Sequence, residues 1–597
     1  MTPMQNQQRQ GREEHQRHSA RKAGKPKHTL QIHFRRKRLK TTDVTVVPHD
    51  TLRQAISGTV VGNFMEWYDF GVYGYLAVTM TSVFTKGLPE SMGLLVMLLG
   101  FAVSFLVRPL GGIVLGPLGD RVGRQKVLFF TMGMMAISTG LIGLLPTAAQ
   151  IGPWAVLPLY FLKMMQGFST GGEYAGATTY ISEFSPDRKR GFYSAWLDLG
   201  SYLGSAFGAM TVAITTVVCD HIWGAGSMAA IGWRIPYLLT IPLGIIAILL
   251  RSRIPETPQF TNQLEQQEAE AAALEARGNG ATQEQAKKDT PGSVPYLIHH
   301  HWRELLMAIS IVAATNTAGY VLTSYMPTYL EEEVGTTPTM AAAASAPVLI
   351  LMSLSLPLIG ALSDRIGRKP VYAAAVASAL IFMLPAFWLL HQGDFWAIQG
   401  ALLLIAIPVA CYAGVSASTL PALFPTSSRF GGMGLSYNLA VSLFGGTTPL
   451  VAQALIVLTG NHYMPAVYIM IFAALSGIAV WCMQESSKSP LLGSLPTVET
   501  KAEAIHLVKN QDDDPLIDTS TMPMPLVTME VSVPEVKQPE ETAAAGADGA
   551  AGTGTDAKAG AESNVSGDKP SADRQSNGKP SDDKTGGESA PQKASEQ

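Results

Sequence analysis

The sequence predicts an all-α membrane protein of twelve transmembrane helices in two six-helix halves, with a disordered basic N-terminal arm and a disordered acidic C-terminal tail. Three observations predict it. Of 597 residues, 15% are charged and 47% hydrophobic, against roughly a quarter charged in soluble domains, which excludes an ordinary soluble enzyme of this size. The composition falls into three regimes: twelve Lys/Arg against four acids in residues 1–50, an apolar stretch over 52–485, and an Ala/Gly/Pro/Asp/Glu-rich remainder from 486. Finally, the polar connections within the apolar stretch alternate between basic and nearly bare.

The elements follow in order. Residues 1–50 and 486–597 are too polar to bury a core. The arm is not read as a cleaved signal peptide, because its basic stretch is long and the apolar segment behind it is full length; beside a membrane span its charge suits anionic lipid rather than nucleic acid. A crossing helix needs about 20 apolar residues. Spans 1 to 6 fall near 53–81, 92–116, 127–147, 154–183, 191–218 and 232–251, and spans 7 to 12 near 304–330, 340–362, 370–390, 396–423, 431–458 and 463–484. A polar connection divides them, giving boundaries at 1–50 (arm), 51–251 (first half), 252–303 (linker), 304–485 (second half) and 486–597 (tail).

Orientation follows from the connections. Those after spans 2, 4, 6, 8 and 10 carry Arg121, Arg124 and Lys126, then Arg188 to Arg190, Arg251 and Arg253, Arg365, Arg368 and Lys369, and Arg429. Those on the other side offer Lys86 as their only basic residue, with Glu90, Asp220, Glu331 to Glu333 and Asp394 among them. Basic loops stay cytoplasmic, so both termini are expected inside a cell membrane.

The halves share a motif, GxLxDRxGR. Its first copy contains Gly116, Asp120, Arg121, Gly123 and Arg124; its second contains Gly360, Asp364, Arg365, Gly367 and Arg368. Weaker echoes pair Glu183–Gly191 with Leu423–Gly431, and Glu256-Thr257 with Glu485-Ser486. An Asp at a helix end can latch onto a neighbouring helix N-terminus, and the glycines permit a sharp turn and close packing. A matched pair of such latches is read as a gate.

This loop motif resembles that of the major facilitator superfamily. Asn63-Phe-Met-Glu66-Trp-Tyr-Asp69, Arg108-Pro-Leu-Gly-Gly112, Gln166-Gly-Phe-Ser-Thr-Gly-Gly-Glu173 and Ser185-Pro-Asp-Arg-Lys-Arg-Gly191 resemble its metabolite:proton symporter family. Trp196-Leu-Asp198, Pro255-Glu-Thr-Pro, Tyr325-Met-Pro-Thr-Tyr329 and Ser418-Thr-Leu-Pro are similar to the members that carry the osmoprotectants proline and glycine betaine. The likeness covers about residues 52–485. It implies proton-coupled import of small zwitterions by alternating access, in a protein that is not an enzyme. Gly432-Met-Gly-Leu-Ser-Tyr437-Asn438 also resembles dicarboxylate-carrying relatives, so an H+ symporter of acids such as 2-oxoglutarate is the alternative. The two extensions are all that would favour a non-transporting sensor.

Ionisable residues inside spans are functional candidates by default. They cluster in the first half: Glu66 and Asp69 on span 1, Arg108 on span 2, Lys163 and Glu173 on span 4, and Asp198 on span 5. Helical rise places Asp69 and Lys163 in a deeper layer, and Arg108, Glu173 and Asp198 in an inner network. Asp69 is read as the proton carrier, Lys163 as its partner and Glu66 as second, a pairing that the resemblance to proton-coupled sugar porters supports. A zwitterion needs a donor for its carboxylate and an aromatic face for its cation. Asn63, Tyr73, Gln166, Trp196, Asn316, Tyr320, Tyr325 and Asn438 are the substrate candidates, among further aromatics that include Trp67, Tyr202 and Tyr437. Cys219, Cys411 and Cys482 lie far apart without metal-ligand spacing, and no nucleotide or cofactor motif appears. The ion gradient is therefore the expected source of energy.

Overall fold

The apolar runs fold into long helices whose outer sides carry exposed side chains such as Trp396, Leu458 and Trp481, a surface suited to lipid. The computed structural model describes residues 29–35, 38–122, 124–251, 293–514, 516–517, 522 and 526–532. Most of the expected arm, most of the linker 252–303 and most of the tail lie outside the described residues.

The first helices are α1 (His49–Phe84), α2 (Glu90–Val122) and α3 (Arg124–Ile142). Then α4 (Val156–Thr170) breaks at Gly171 and Gly172 and resumes as α5 (Glu173–Phe184), followed by α6 (Arg190–Trp223). A π-helical turn, Met228–Gly232, and a short helix, Arg234–Leu238, lead into α7 (Thr240–Arg251). Beyond the linker, α8 (Trp302–Tyr320) passes through a π-helical turn, Val321–Tyr325, into α9 (Met326–Glu332). Next come α10 (Pro338–Ile366), α11 (Arg368–Leu390) and α12 (Phe395–Thr419). Last, α13 (Thr426–Ala440) continues through the π-helical turn Val441–Gly445 into α14 (Thr448–Thr459), with α15 (Met464–Cys482) behind it.

Among the described residues, nine helical stretches are long and apolar enough to cross a membrane. The expected spans 1, 3 and 4 are not among them, although each is helical. The reason is chemical: α1 carries Glu66 and Asp69, the broken α4–α5 carries Lys163 and Glu173, and the apolar part of α3, Phe129–Ile142, is short. Their polar groups face protein rather than lipid, which is how a membrane protein tolerates them.

Small residues bring these helices together. A Cβ at Gly167 on α4 would overlap the Ser104 carbonyl of α2, and one at Gly171 would overlap that of Arg108. On α6, a Cβ at Gly200 would lie 2.7 Å from the Val60 carbonyl of α1, and one at Gly208 would lie 2.9 Å from the Val72 nitrogen. Such backbone contact is what small residues supply where lipid gives no hydrophobic drive to association.

At the inner end implied by the basic loops, the second motif copy latches as its chemistry requires. Asp364 accepts the otherwise unpaired N–H groups of Gly191 (2.8 Å) and Phe192 (2.9 Å) in the first turn of α6. Gly367, at φ 103°, turns the chain directly into α11 through a conformation that side-chain-bearing residues avoid. Glu485 caps that helix by accepting the N–H groups of Arg368 (2.9 Å) and Lys369 (3.0 Å). The weaker echo has a structural counterpart too. Arg190 Nε donates eight residues back to the Ser182 carbonyl (3.3 Å), as Arg429 Nε does to that of Pro421 (3.1 Å). Arg365 is exposed and stands outside this network. In the first copy, Gly116 lies within α2, Gly123 lies outside the described residues, and so do the side chains of Asp120, Arg121 and Arg124.

The expectation of a structureless tail from residue 486 is corrected for its first part. Residues 486–514 are ordered against the inner ends of the helices, with strand β2 (Thr497–Val498) pairing in parallel with β1 (Thr45–Val46) and a helix, α16, at Lys501–Lys509. Ser489 accepts from Arg190 (3.1 Å), Leu492 from Thr426 (2.9 Å) and Arg429 (2.8 Å), and Thr497 donates to Asp187 (2.9 Å). Composition misses this because the segment has few apolar residues, and those few, Val498, Ala504 and Leu507 among them, find their partners in Val44 and Leu39 at the other end of the chain, while the buried Arg190 and Arg429 bind its backbone.

Candidate functional site

Six ionisable side chains on α1, α2, α4, α5 and α6 lie almost wholly inside the bundle; Glu66 is 1% exposed, Arg108 2%, Asp69 2% and Lys163 0%. Their pairing differs from the two-layer expectation. Arg108 forms its ion pair with Glu66, and its guanidinium sits 5.3 Å from the centroid of the Phe105 ring. Charge from Glu173 also reaches Arg108. Asp198 instead accepts from Tyr174 OH (2.8 Å), whose ring stacks on Tyr437 at 4.2 Å and 12°.

Asp69 and Lys163 feel each other's charge but form no ion pair. Lys163 Nζ lies 3.9 Å above the Tyr73 ring, and Tyr73 OH donates to the Met97 carbonyl (2.7 Å). Asp69 accepts from Thr139 Oγ1 on α3 (2.6 Å), which accepts in turn from Gln166 Nε2 on α4 (2.5 Å). Depth along a helix follows from residue spacing. Which neighbour a side chain meets depends on helix rotation, and spacing within one helix does not contain that.

The amide candidates are engaged in helix contacts. Asn63 donates from α1 to the Leu197 carbonyl of α6 (2.8 Å) and to Ser201 Oγ. Asn438 donates to the Gly171 carbonyl (2.6 Å), which the break between α4 and α5 leaves open. Asn316 donates back to Val312 (2.9 Å). Of the remaining candidates, Trp196 is half-buried edge-on to Phe192, and Tyr325 donates to Gln453 (2.7 Å), the start of a separate chain through Glu333 to His462. Tyr320 is central: its ring stacks on Trp67 at 5.3 Å and 22°, Trp67 packs on Tyr202 at 6.1 Å and 30°, and Phe105 meets Tyr320 edge-on at 5.2 Å. The ladder Tyr202–Trp67–Tyr320 thus runs beside the Glu66–Arg108 pair.

Several side chains here were not singled out from sequence: Thr139, Tyr174 and Phe105. A helical threonine and a membrane phenylalanine are too common to signal anything alone. Asp69 Oδ1, Arg108 Nε, Lys163 Nζ, Gln166 Oε1 and Asp198 Oδ2 have no hydrogen-bond partner among the described residues. Buried polar groups left without a protein partner are places where water, a proton or a ligand can complete the bonding.

Helices of membrane-crossing length around a buried, charged and aromatic centre define a multi-pass membrane transporter. The comparisons with known proteins make this specific. The family model described as Sugar (and other) transporter matches residues 55–493, and the chain belongs to that family. It is 62% identical to the ectoine/proline transporter ProP of Corynebacterium glutamicum, over 82% of this chain and 95% of that protein. It is 39% identical to the glycine betaine/proline/ectoine/pipecolic acid transporter OusA of Dickeya dadantii, over 81% and 93% respectively. Among solved structures, the major facilitator superfamily proton:xylose symporter XylE bound to 6-bromo-6-deoxy-D-glucose superposes with a TM-score of 0.57 at 16% identity, covering 74% of this chain and 98% of that one. That likeness shows the all-helical major facilitator fold.

Proposed function

We propose that this chain is a proton-coupled symporter that imports small zwitterionic osmolytes, with proline, glycine betaine and ectoine as candidates, by alternating access across the cell membrane. In this reading twelve spans form two six-helix halves, 51–251 and 304–485, joined by 252–303, with both termini cytoplasmic and the arm 1–50 near anionic lipid. The relatives named for proline, betaine and ectoine support the substrate class.

The observation that carries the proposal is the ring ladder beside the Glu66–Arg108 pair. Once the centre opens and the stack of rings parts, a zwitterion places its cationic nitrogen on a ring face, where the quadrupole attracts it, and its carboxylate on a guanidinium with a free donor. Arg108 Nε is such a donor. Charge balance favours this substrate over a dicarboxylate: the two cations of this centre, Arg108 and Lys163, have acids nearby in Glu66 and Asp69, and Glu173 also acts on Arg108. A dianion would enter a centre with no net positive charge to receive it. Asp69 is the proposed proton carrier, with Lys163 as its electrostatic partner. Protonation of a buried carboxylate removes a charge that is costly to move through an apolar interior, which ties its occupancy to which face of the centre opens. Asp364, with Gly367 and Arg368, forms the inner gate.

The test is uptake into proteoliposomes of labelled proline, glycine betaine, ectoine and 2-oxoglutarate, with and without an imposed pH gradient. The proposal expects gradient-driven accumulation of at least one zwitterion, and Asp69→Asn should abolish that accumulation while sparing substrate exchange. Accumulation of 2-oxoglutarate alone would overturn the substrate class, and indifference to the gradient would overturn proton coupling.

A further inference from the structure

We propose that Thr139 on α3 is a positioning residue for proton transfer at Asp69, its hydroxyl alternating between the Asp69 carboxylate and the carbonyl of Met135. The inference rests on the reading of Asp69 as the proton carrier and extends it to a helix that carries none of the ionisable residues at the centre.

Helical serines and threonines commonly donate to the carbonyl four residues back, as Ser138 does to Met134 (2.7 Å). Thr139 has that option, with Met135 O at 2.9 Å, but Asp69 Oδ2 is nearer at 2.6 Å. Gln166 Nε2 donates into the same hydroxyl oxygen at 2.5 Å. An amide donor occupying that oxygen directs the hydroxyl proton away from Gln166, towards one of the two acceptors. Among the described residues, no other hydrogen-bond donor reaches Asp69, whose second oxygen has no partner. The side chain is buried on every side, with Thr139 0% exposed.

The two positions match the two protonation states. An ionised Asp69 accepts the Thr139 proton, and this bond favours the charged form. A protonated Asp69 has less need of a donor, and Thr139 turns to Met135 without stranding its proton. Release of the proton from a buried carboxylate therefore meets a ready donor, and α3 registers the charge state of α1. The other ionisable groups whose field reaches Asp69 are Glu66 and Tyr68 on α1, Lys163 on α4 and Tyr237 on the short helix before α7. None of them donates a hydrogen bond to it.

The experiment compares the pH dependence of gradient-driven proline uptake for wild type, Thr139→Val, Thr139→Ala and Thr139→Ser in proteoliposomes, normalised to folded protein. Removing the hydroxyl takes a donor from the carboxylate, so the proton stays on at higher pH. Both hydroxyl-free variants should move the alkaline half-maximum of uptake upwards, by about one pH unit for one lost charge-assisted bond, and Thr139→Ser should keep the wild-type profile. Superimposable profiles for Val, Ala and wild type would overturn the inference, as would a Ser variant shifted as far as Val. Asp69→Asn separates this inference from the reading beneath it. If Asp69→Asn keeps the wild-type pH profile, the carrier assignment fails; if it flattens the profile while Thr139→Val does not move it, only the role of Thr139 fails.

Discussion

At the scale of single residues, the centre is governed by the cost of charge away from water. Arg108 and Glu66 are both at least 98% buried and balance each other's charge, so removing one strands its partner. Arg108→Leu should therefore destabilise the fold by about 3–5 kcal/mol, read as thermal unfolding in detergent. Adding Glu66→Gln should recover most of the loss, because a buried neutral amide costs far less to leave unpaired than a buried carboxylate. Equal destabilisation by the single and double variants would show that Arg108 holds the fold by packing and not by neutralising Glu66. Lys163 poses the same problem with a different solution. Its ammonium sits over the face of Tyr73, and a cation–π contact free of bulk water contributes about 2 kcal/mol without fixing the lysine to one acid.

Among elements, helix approach is the controlling variable. Gly167→Ala places a methyl group into the Ser104 carbonyl, whereas Gly133→Ala on α3 meets nothing within 4 Å. The first should cost about 1–3 kcal/mol or more by overpacking, and the second should be neutral or gain about 0.5–1 kcal/mol from helix propensity. Thermal unfolding of the two variants side by side checks the difference, and equal effects would mean that α2 and α4 are not in backbone contact. How much was legible follows the same division. The long apolar helices and the latch at Asp364 follow from residue type and spacing. The partner of Arg108 did not, because an acid on α1 and an acid on α5 lie at comparable depth and only helix rotation chooses between them. Thr139 was invisible for a different reason: its usual backbone bond explains a helical threonine fully until α1 and α4 are placed beside it.

In the molecule as a whole, the segment after α15 ties together helix ends that are distant in sequence. Glu485 caps α11, Leu492 holds the start of α13, and Glu499 accepts from Lys189 Nζ (2.5 Å) and Tyr193 OH (3.0 Å) at the start of α6. Two of these ties titrate. The bond from the Lys189 ammonium, helped by Tyr193, holds the Glu499 carboxyl below the usual glutamate range. Partial burial opposes ionisation of Glu485, but N–H groups from Arg368, Lys369 and Ser487 outweigh it and hold that carboxyl low as well. A depressed folded-state value means that the stabilisation is complete above the unfolded glutamate value of about 4.3 and is lost as pH falls through the lower folded value. The segment should therefore stay docked from neutral pH down to about 5 and release only below about 4. Hydrogen exchange of the α16 amides across that range measures it: protection should fall together with protonation. Glu499→Gln should weaken protection at neutral pH, and it should make the remaining loss on acidification smaller. Protection that holds unchanged to pH 3.5 would show instead that the backbone bonds at Leu492 and Thr497 carry the docking, leaving the acids as passengers.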